Sequence, residues 1–337
     1  MTGPILAADD LLVRLEQGDV IVLDATVDLA AAVYDGDHRS TSGRPGWEQA
    51  HIPGSRHADL LHDLSDPAAP YHFARPTPEI LTARLADLGV RDGVPVVVYD
   101  RSGGIWAARL WWLLDSIGIE AAVLDGGFAA WQAAGLPVSA EVPFAEVASA
   151  AETTPGLTTS PPSQGVPPPA ASVTEGHGLP QASCGQVAGV DNARAVREER
   201  WIGREHLQRW LRGEIEATVL CALNPEAYAG EVPTRYSRRG HIPGSGNLPT
   251  RSLLGPDGRF RPLDELRTDL ADLLADPAPI WLYCGGGISA ATLGLALTAL
   301  GRDDVSLYDG SLEEWSADES LPLVLGRADE SGRADER

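Results

Sequence analysis

The chain has 337 residues and a mass of 35.7 kDa, which at ~150 residues per domain corresponds to about two domains. Its formal charge is −22, its pI is about 4.6, and all 26 basic residues are arginine. Without lysine there is no Schiff base to pyridoxal phosphate, no lysine general base and no phosphate-loop lysine, and such acidity argues against a nucleic-acid or anionic-membrane surface.

The first residues carry acids before any base, and no stretch reaches the ~18 apolar residues of a membrane span, so a cytoplasmic protein is expected. A helical pattern, LAADDLLVRLEQGD (6–19), leads into a strand, VIVLDA (20–25), and then into AHIPGS (50–55). The helix PEILTARLADLG (78–89) feeds the strand VPVVVYD (94–100). A glycine-containing turn comes next, then the helical stretch 102–118, the short strand of AAVLDGG (121–127) and a helix carrying Trp131. Residues 142–190 are rich in Pro, Gly, Ser, Thr and Ala and contain no arginine, the composition of an extended linker.

The order then repeats. REHLQRWLRGE (204–214) leads to TVLCA (218–222) and GHIPGS (240–245), and LDELRTDLADLL (263–274) leads to PIWLYC (279–284). GGGISAATLGLALTALG (285–301), VSLYDGS (305–311) and a helix carrying Trp315 complete the second copy. Short apolar strands alternating with helices of ~10 to 14 residues predict an α/β fold, a mostly parallel sheet with helices on both faces, present twice. The expected division is 5–140, a linker at 141–191, 192–325, and a frayed tail at 326–337.

In such sheets ligands bind beyond the carboxyl ends of the strands. There the second copy places Cys284, followed by Gly285, Gly286, Gly287, Ile288 and Ser289, with a helix expected to start near Ala290. Three glycines let backbone N–H groups converge, and the helix N-terminus adds free donors, so the loop can cradle a thiolate or its sulfur adduct. A buried core cysteine beside a tight turn is the competing reading. The first copy has Asp100 in place of the cysteine, so one copy would be catalytic and the other structural or substrate-shaping. A cysteine phosphatase would need an arginine closing its loop, and none occurs between Cys284 and Arg302. His51 and His241 are expected to fix the HIPG turns, and Cys221 to be a buried structural thiol rather than a resolving one. Cys184, Cys221 and Cys284 have no paired spacing, so neither disulfides nor a metal site are expected.

The paired HIPG motifs, LDGGFAAW, YCGGGISA and LYDGSLEEW together resemble the tandem rhodanese-domain sulfurtransferases of the thiosulfate and 3-mercaptopyruvate type. That resemblance implies that Cys284 takes a sulfane sulfur as a persulfide, that residues 285–289 hold it, and that no cofactor is needed. It implies a small anionic sulfur donor, and cyanide, a small thiol or a thioredoxin-like protein as acceptor. A sulfur-carrier module with little turnover is the alternative. CGGGISA resembles the mercaptopyruvate-type CGSGVTA, with Gly286 in place of a serine and Ser289 in place of a threonine. The aromatic–Arg–Gly pattern of the family is replaced by Tyr228, Ala229 and Gly230, and its Asp-Ala-Arg by Cys221, Ala222 and Leu223. This leaves Arg235, Arg238 and Arg239 as candidates for gripping an anionic donor, Arg235 foremost. Asp59 and His72 fall where mercaptopyruvate-type enzymes contribute a carboxylate and a histidine across the interface. Arg101 and Arg109 are further residues that could face the cleft.

Overall fold

Two short apolar runs, VVVY and IWLY, form the central strands of two sheets, and every one of their side chains is buried, as a strand covered on both faces requires. The structure, a computed structural model, describes residues 3–142 and 195–327. Cys184, all but the first two residues of the expected linker, and the tail from 328 lie outside the described residues.

In the first half the strands are β1 (Ile5–Leu6), β2 (Ile21–Asp24), β3 (Val27–Leu29), β4 (Ser40–Ser42), β5 (Arg56–His57), β6 (Val96–Tyr99) and β7 (Ala121–Leu124). Five of them form a parallel sheet in the order β1-β7-β6-β2-β5. The second half has β8 (Trp201–Ile202), β9 (Thr218–Cys221), β10 (Gly246–Asn247), β11 (Ile280–Tyr283) and β12 (Val305–Tyr308), in the matching parallel order β8-β12-β11-β9-β10. The repeat read from the motifs is therefore a repeat of topology. The antiparallel hairpin β3–β4 departs from that expectation: it belongs to the first half and has no apolar alternation to announce it.

The helices of the first half are α1 (Ala8–Gln17), α2 (Arg44–Gln49), α3 (Pro78–Asp87), α4 (Ile105–Ser116) and α5 (Gly127–Ala133). The second half carries α6 (Arg204–Leu211), α7 (Pro225–Tyr228), α8 (Leu263–Asp269), α9 (Ala271–Ala275), α10 (Ile288–Ala299) and α11 (Ser311–Ala317). The single helix expected over 263–274 is broken at Leu270, which caps α8 and precedes α9. No helix among the described residues is long and apolar enough to cross a membrane.

The two halves form one unit because α4 and α10 are apolar nearly all round and bury each other. One continuous core cluster runs from Leu23 and Val98 through Trp112 to Leu295 and Leu307. Gly294 is the point of closest approach: a Cβ added there would overlap Trp112 Cζ3. Polar ties flank this contact. Arg109, 1% exposed, donates to Asp309 Oδ1 at 2.5 Å and to the Phe73 carbonyl at 2.7 Å. The strand-end carboxylates reciprocate across the interface, Asp309 accepting from the Arg75 amide and Asp125 from the Phe260 amide, each at 2.8 Å.

Candidate active site

The two HIPGS motifs prove to be anchors for the strand ends. In the first half Ser55 Oγ pairs with the Tyr99 hydroxyl at 2.9 Å, and in the second Ser245 Oγ pairs with that of Tyr283 at 2.6 Å. The amides of Ile52 and Ile242 donate to the same hydroxyls. His51 and His241 turn Nδ1 to the carbonyls of Trp47 and Tyr228, which agrees with a turn-fixing role. Each anchored tyrosine immediately precedes the residue of interest, Asp100 in one half and Cys284 in the other.

The turns beyond these tyrosines differ between the halves in an informative way. Asp100 is fully buried, and its carboxylate is wrapped by its own turn: Oδ1 accepts from the amides of Ser102 and Gly104, Oδ2 from those of Trp106 and Ala107, at 2.7 to 2.9 Å. Burial lifts its pKa above the usual carboxylate range against the pull of these four amides. The first half is thus a strand-to-helix turn with its anion built in. In the second half the equivalent turn is one residue shorter and presents a sulfur, with Cys284 only 2% exposed.

Three contacts hold the Cys284 loop. The Cys284 amide donates to Ser311 Oγ at 3.2 Å, and the amides of Leu312 and Glu313 donate to the carbonyls of Cys284 and Gly285 at 3.0 and 2.8 Å. Gly287, at φ +76°, caps α10, which starts at Ile288 rather than near Ala290; the amides of its first turn have no intrahelical acceptor. A side chain at Gly287 would meet the Asp309 carbonyl at 3.0 Å and Arg109 Nη1 at 3.2 Å. Arg109 therefore does not face the cleft but backs the loop from inside the interface. Arg101 also turns inward, donating to the carbonyls of Gly46 and Ala50.

Cys284 opens into a cavity of about 130 Å³ whose walls come from both halves. Leu29, His38 and Phe73 of the first half face Arg235, Tyr236, Ser289 and Glu313 of the second, together with Gly285, Gly286 and Ile288. Of the three candidate arginines only Arg235 lines it, steadied by two hydrogen bonds to the Ala30 carbonyl. Arg238 is taken up by the carbonyls of Ser316, Asp318 and Leu321 at the end of α11, and Arg239 pairs with Asp35 at 2.8 Å. Neither borders the cavity, because the unsatisfied carbonyls of α11 and the Asp35 carboxylate draw them away.

His72 does reach across the interface, where its Nδ1 bonds the Glu313 carboxylate. Asp59 does not: it turns back on its own loop, accepting from the amides of Leu61 and His62 and from His62 Nδ1. His38 carries no mark in the sequence that would single it out, since it lies in no repeated motif; Glu313 lies within LYDGSLEEW, where the matching position of LDGGFAAW is Ala129, but its carboxylate is paired only by the fold, through His72. His38 stacks on His72 with ring centroids 3.6 Å apart, and burial beside His72 and Arg235 pushes it down to about 4. Cys221 is wholly buried next to the site at the end of β9, and burial pushes its thiol up to about 12.

Two tandem parallel α/β units, one bearing a cysteine at a strand-to-helix turn, define a class, and the comparisons agree with it. The rhodanese-like domain model matches residues 7–134 and 228–318, and the chain belongs to that family. A Pseudomonas aeruginosa protein named "Probable 3-mercaptopyruvate sulfurtransferase" is 32% identical over 333 residues, 96% of this chain and 99% of its own length. The 3-mercaptopyruvate sulfurtransferase of Escherichia coli K12 is 29% identical over 94% of this chain and 96% of its own. Among solved structures, YnjE superposes with a TM-score of 0.67 at 21% identity, covering 98% of this chain and 70% of that one, a likeness of fold alone.

Proposed function

We propose that this chain, a sulfurtransferase by family, carries sulfur on Cys284 from thiosulfate or 3-mercaptopyruvate to cyanide or a thiol. The 192–325 half would hold the nucleophile, and the 5–140 half would supply the opposite wall of the cavity. The observation that carries the proposal is the exchange of Asp100 for Cys284 between two copies of one turn. Where the first copy wraps a carboxylate in four amides, the second offers the same kind of turn to a thiolate and then to a persulfide anion.

The chemistry balances without a cofactor. The Cys284 thiolate attacks the outer sulfur of thiosulfate, the S–S bond breaks, and sulfite leaves with the electron pair. With 3-mercaptopyruvate the C–S bond breaks instead, and pyruvate leaves as its enolate and takes up a proton. The acceptor then attacks the terminal sulfur of the Cys284 persulfide and regenerates the thiolate. A cavity of about 130 Å³ suits donors of this size, and Arg235 is the cation placed to meet their negative charge. Glu313 on the same lining disfavours a second negative charge, which supports the singly charged mercaptopyruvate over the doubly charged thiosulfate.

Incubation with each donor and then intact-mass measurement tests this reading. The chain should gain one sulfur atom, and Cys284→Ser should gain none; absence of an adduct from both donors would refute it. A carrier module would form the adduct yet show no multiple turnover with cyanide or a dithiol acceptor.

A further inference from the structure

The inner cavity at Cys284 is adjoined by a second, outer cavity of about 800 Å³, and His38 and Leu29 line both. His72 lines the outer one, Glu313 the inner one, and the two are hydrogen-bonded to each other. The boundary between the two cavities therefore carries two imidazoles and a carboxylate. Donor atoms of His38, His72 and Glu313 all lie within 4.8 Å of one another. They come from three separate segments: the turn of the β3–β4 hairpin, the loop before α3, and the first turn of α11. Of the three, Glu313 belongs to the LYDGSLEEW motif that holds the cysteine loop through its amide, whereas His38 and His72 lie outside the repeated motifs.

We propose that His38, His72 and Glu313 form a binding site for a divalent cation of the zinc class, and that the bound cation sits at the edge of the Cys284 cavity and slows sulfur transfer there. Two imidazole nitrogens and one carboxylate oxygen are a donor set suited to zinc, and a fourth position remains for water. Bonds of about 2.0–2.2 Å set neighbouring donors roughly 3.3 Å apart, so the ligands must close inward from their present spacing. The parallel rings of His38 and His72 share no common in-plane point, so loading turns at least one imidazole out of the stack. The cation displaces the proton held between His72 and Glu313. Arg39 on the outer lining is neutralised by Asp37 at 2.7 Å, and the overall charge of −22 favours cation approach, which opposes the positive charge of Arg235 on the inner lining.

The Glu313 amide donates to the Gly285 carbonyl, so a cation on the Glu313 side chain is joined by one residue to the cysteine loop. Binding therefore sets a positive charge on the cavity lining and restrains the loop together. The coordination does not depend on the sulfur-transfer proposal; only its inhibitory effect does.

Cobalt, which reports its ligands by absorption, separates the outcomes. Titration of the full chain and of Cys284→Ser with Co²⁺ should give one site in both, with visible ligand-field bands and no thiolate-to-cobalt charge-transfer band. Zn²⁺ should displace the Co²⁺. Glu313→Gln, which preserves size, and His38→Gln should each weaken binding by at least the roughly 10- to 100-fold that loss of an outer-shell partner costs. His62→Ala, in the outer cavity, should leave it unchanged. A charge-transfer band that vanishes in Cys284→Ser would place the metal on the cysteine and overturn the proposal. Equal affinity in Glu313→Gln and His38→Gln, with circular dichroism showing both folded, would overturn it as well, and so would loss of binding in His62→Ala alone. In the turnover assay Zn²⁺ should inhibit the unaltered chain reversibly on chelation; a chain with no turnover would leave the cobalt result intact and refute only the sulfur-transfer reading.

Discussion

Asp100 gives the most direct test of the cradle. Four hydrogen bonds to a charged acceptor would sum to roughly 6–12 kcal/mol if each were worth its usual share. For the charged form, burial of the carboxylate outweighs that gain, which is the meaning of its raised pKa, so the cost of its removal falls on the buried amides left behind. In Asp100→Ala the Ser102 amide can turn to solvent, whereas Gly104, Trp106 and Ala107 are buried residues whose amides lose their acceptor. A cost of about 3–5 kcal/mol is expected, comparable with breaking a buried charged network, which for a single unit of this size corresponds to a fall in Tm of roughly 5–9 °C. Asp100→Asn should cost less, because one oxygen still serves two amides. Added formate should restore Asp100→Ala in proportion to the logarithm of its concentration while leaving the unaltered chain unaffected. Differential scanning calorimetry with and without formate measures both effects. A loss below about 1 kcal/mol, or no response to formate, would show that the turn does not act as an anion cradle, and would remove the main support for the same reasoning at Cys284.

The packing sets three further outcomes. Gly294→Ala drives a methyl into Trp112 Cζ3 and should cost about 1–3 kcal/mol or more by overpacking, with a matching loss of sulfur transfer because the cavity walls belong to different halves; unchanged denaturation would contradict the close approach. At pH 8 an alkylating reagent should modify Cys284 and spare Cys221, whose thiol stays protonated below about 12, as peptide mass mapping would reveal; alkylation of Cys221 in the folded chain would disprove its burial. Arg238→Ala should lower stability by about 1–2 kcal/mol through the unsatisfied carbonyls it leaves and not alter the KM for the donor, while Arg235→Ala should raise that KM. The reverse pattern would exchange their roles.

Much of the architecture is legible in the residues because backbone requirements leave marks. Successive glycines after an apolar strand announce a turn at the carboxyl edge, and the doubled order of HIPGS, helix and tryptophan announces two matching sheets. Arg235 and Arg238 show where that legibility ends. They stand three residues apart in one polar segment, yet one borders the cavity and the other is captured by the end of α11, a choice made by carbonyls more than 70 residues away. His38 is invisible for a related reason: it sits in the turn of a hairpin without apolar alternation and gains its meaning only by stacking on His72. Asp100 is visible as a difference between the copies, but its four amide bonds depend on how the turn closes.

The shared core under α4 and α10 bears on how the duplication can be divided. Each helix offers the other an almost wholly apolar surface, so a chain carrying only one half would expose Trp112 or Leu295 and its neighbours to water. Two sequence repeats thus make a single folding unit: excised halves should aggregate alone, and they should recover solubility only when produced together.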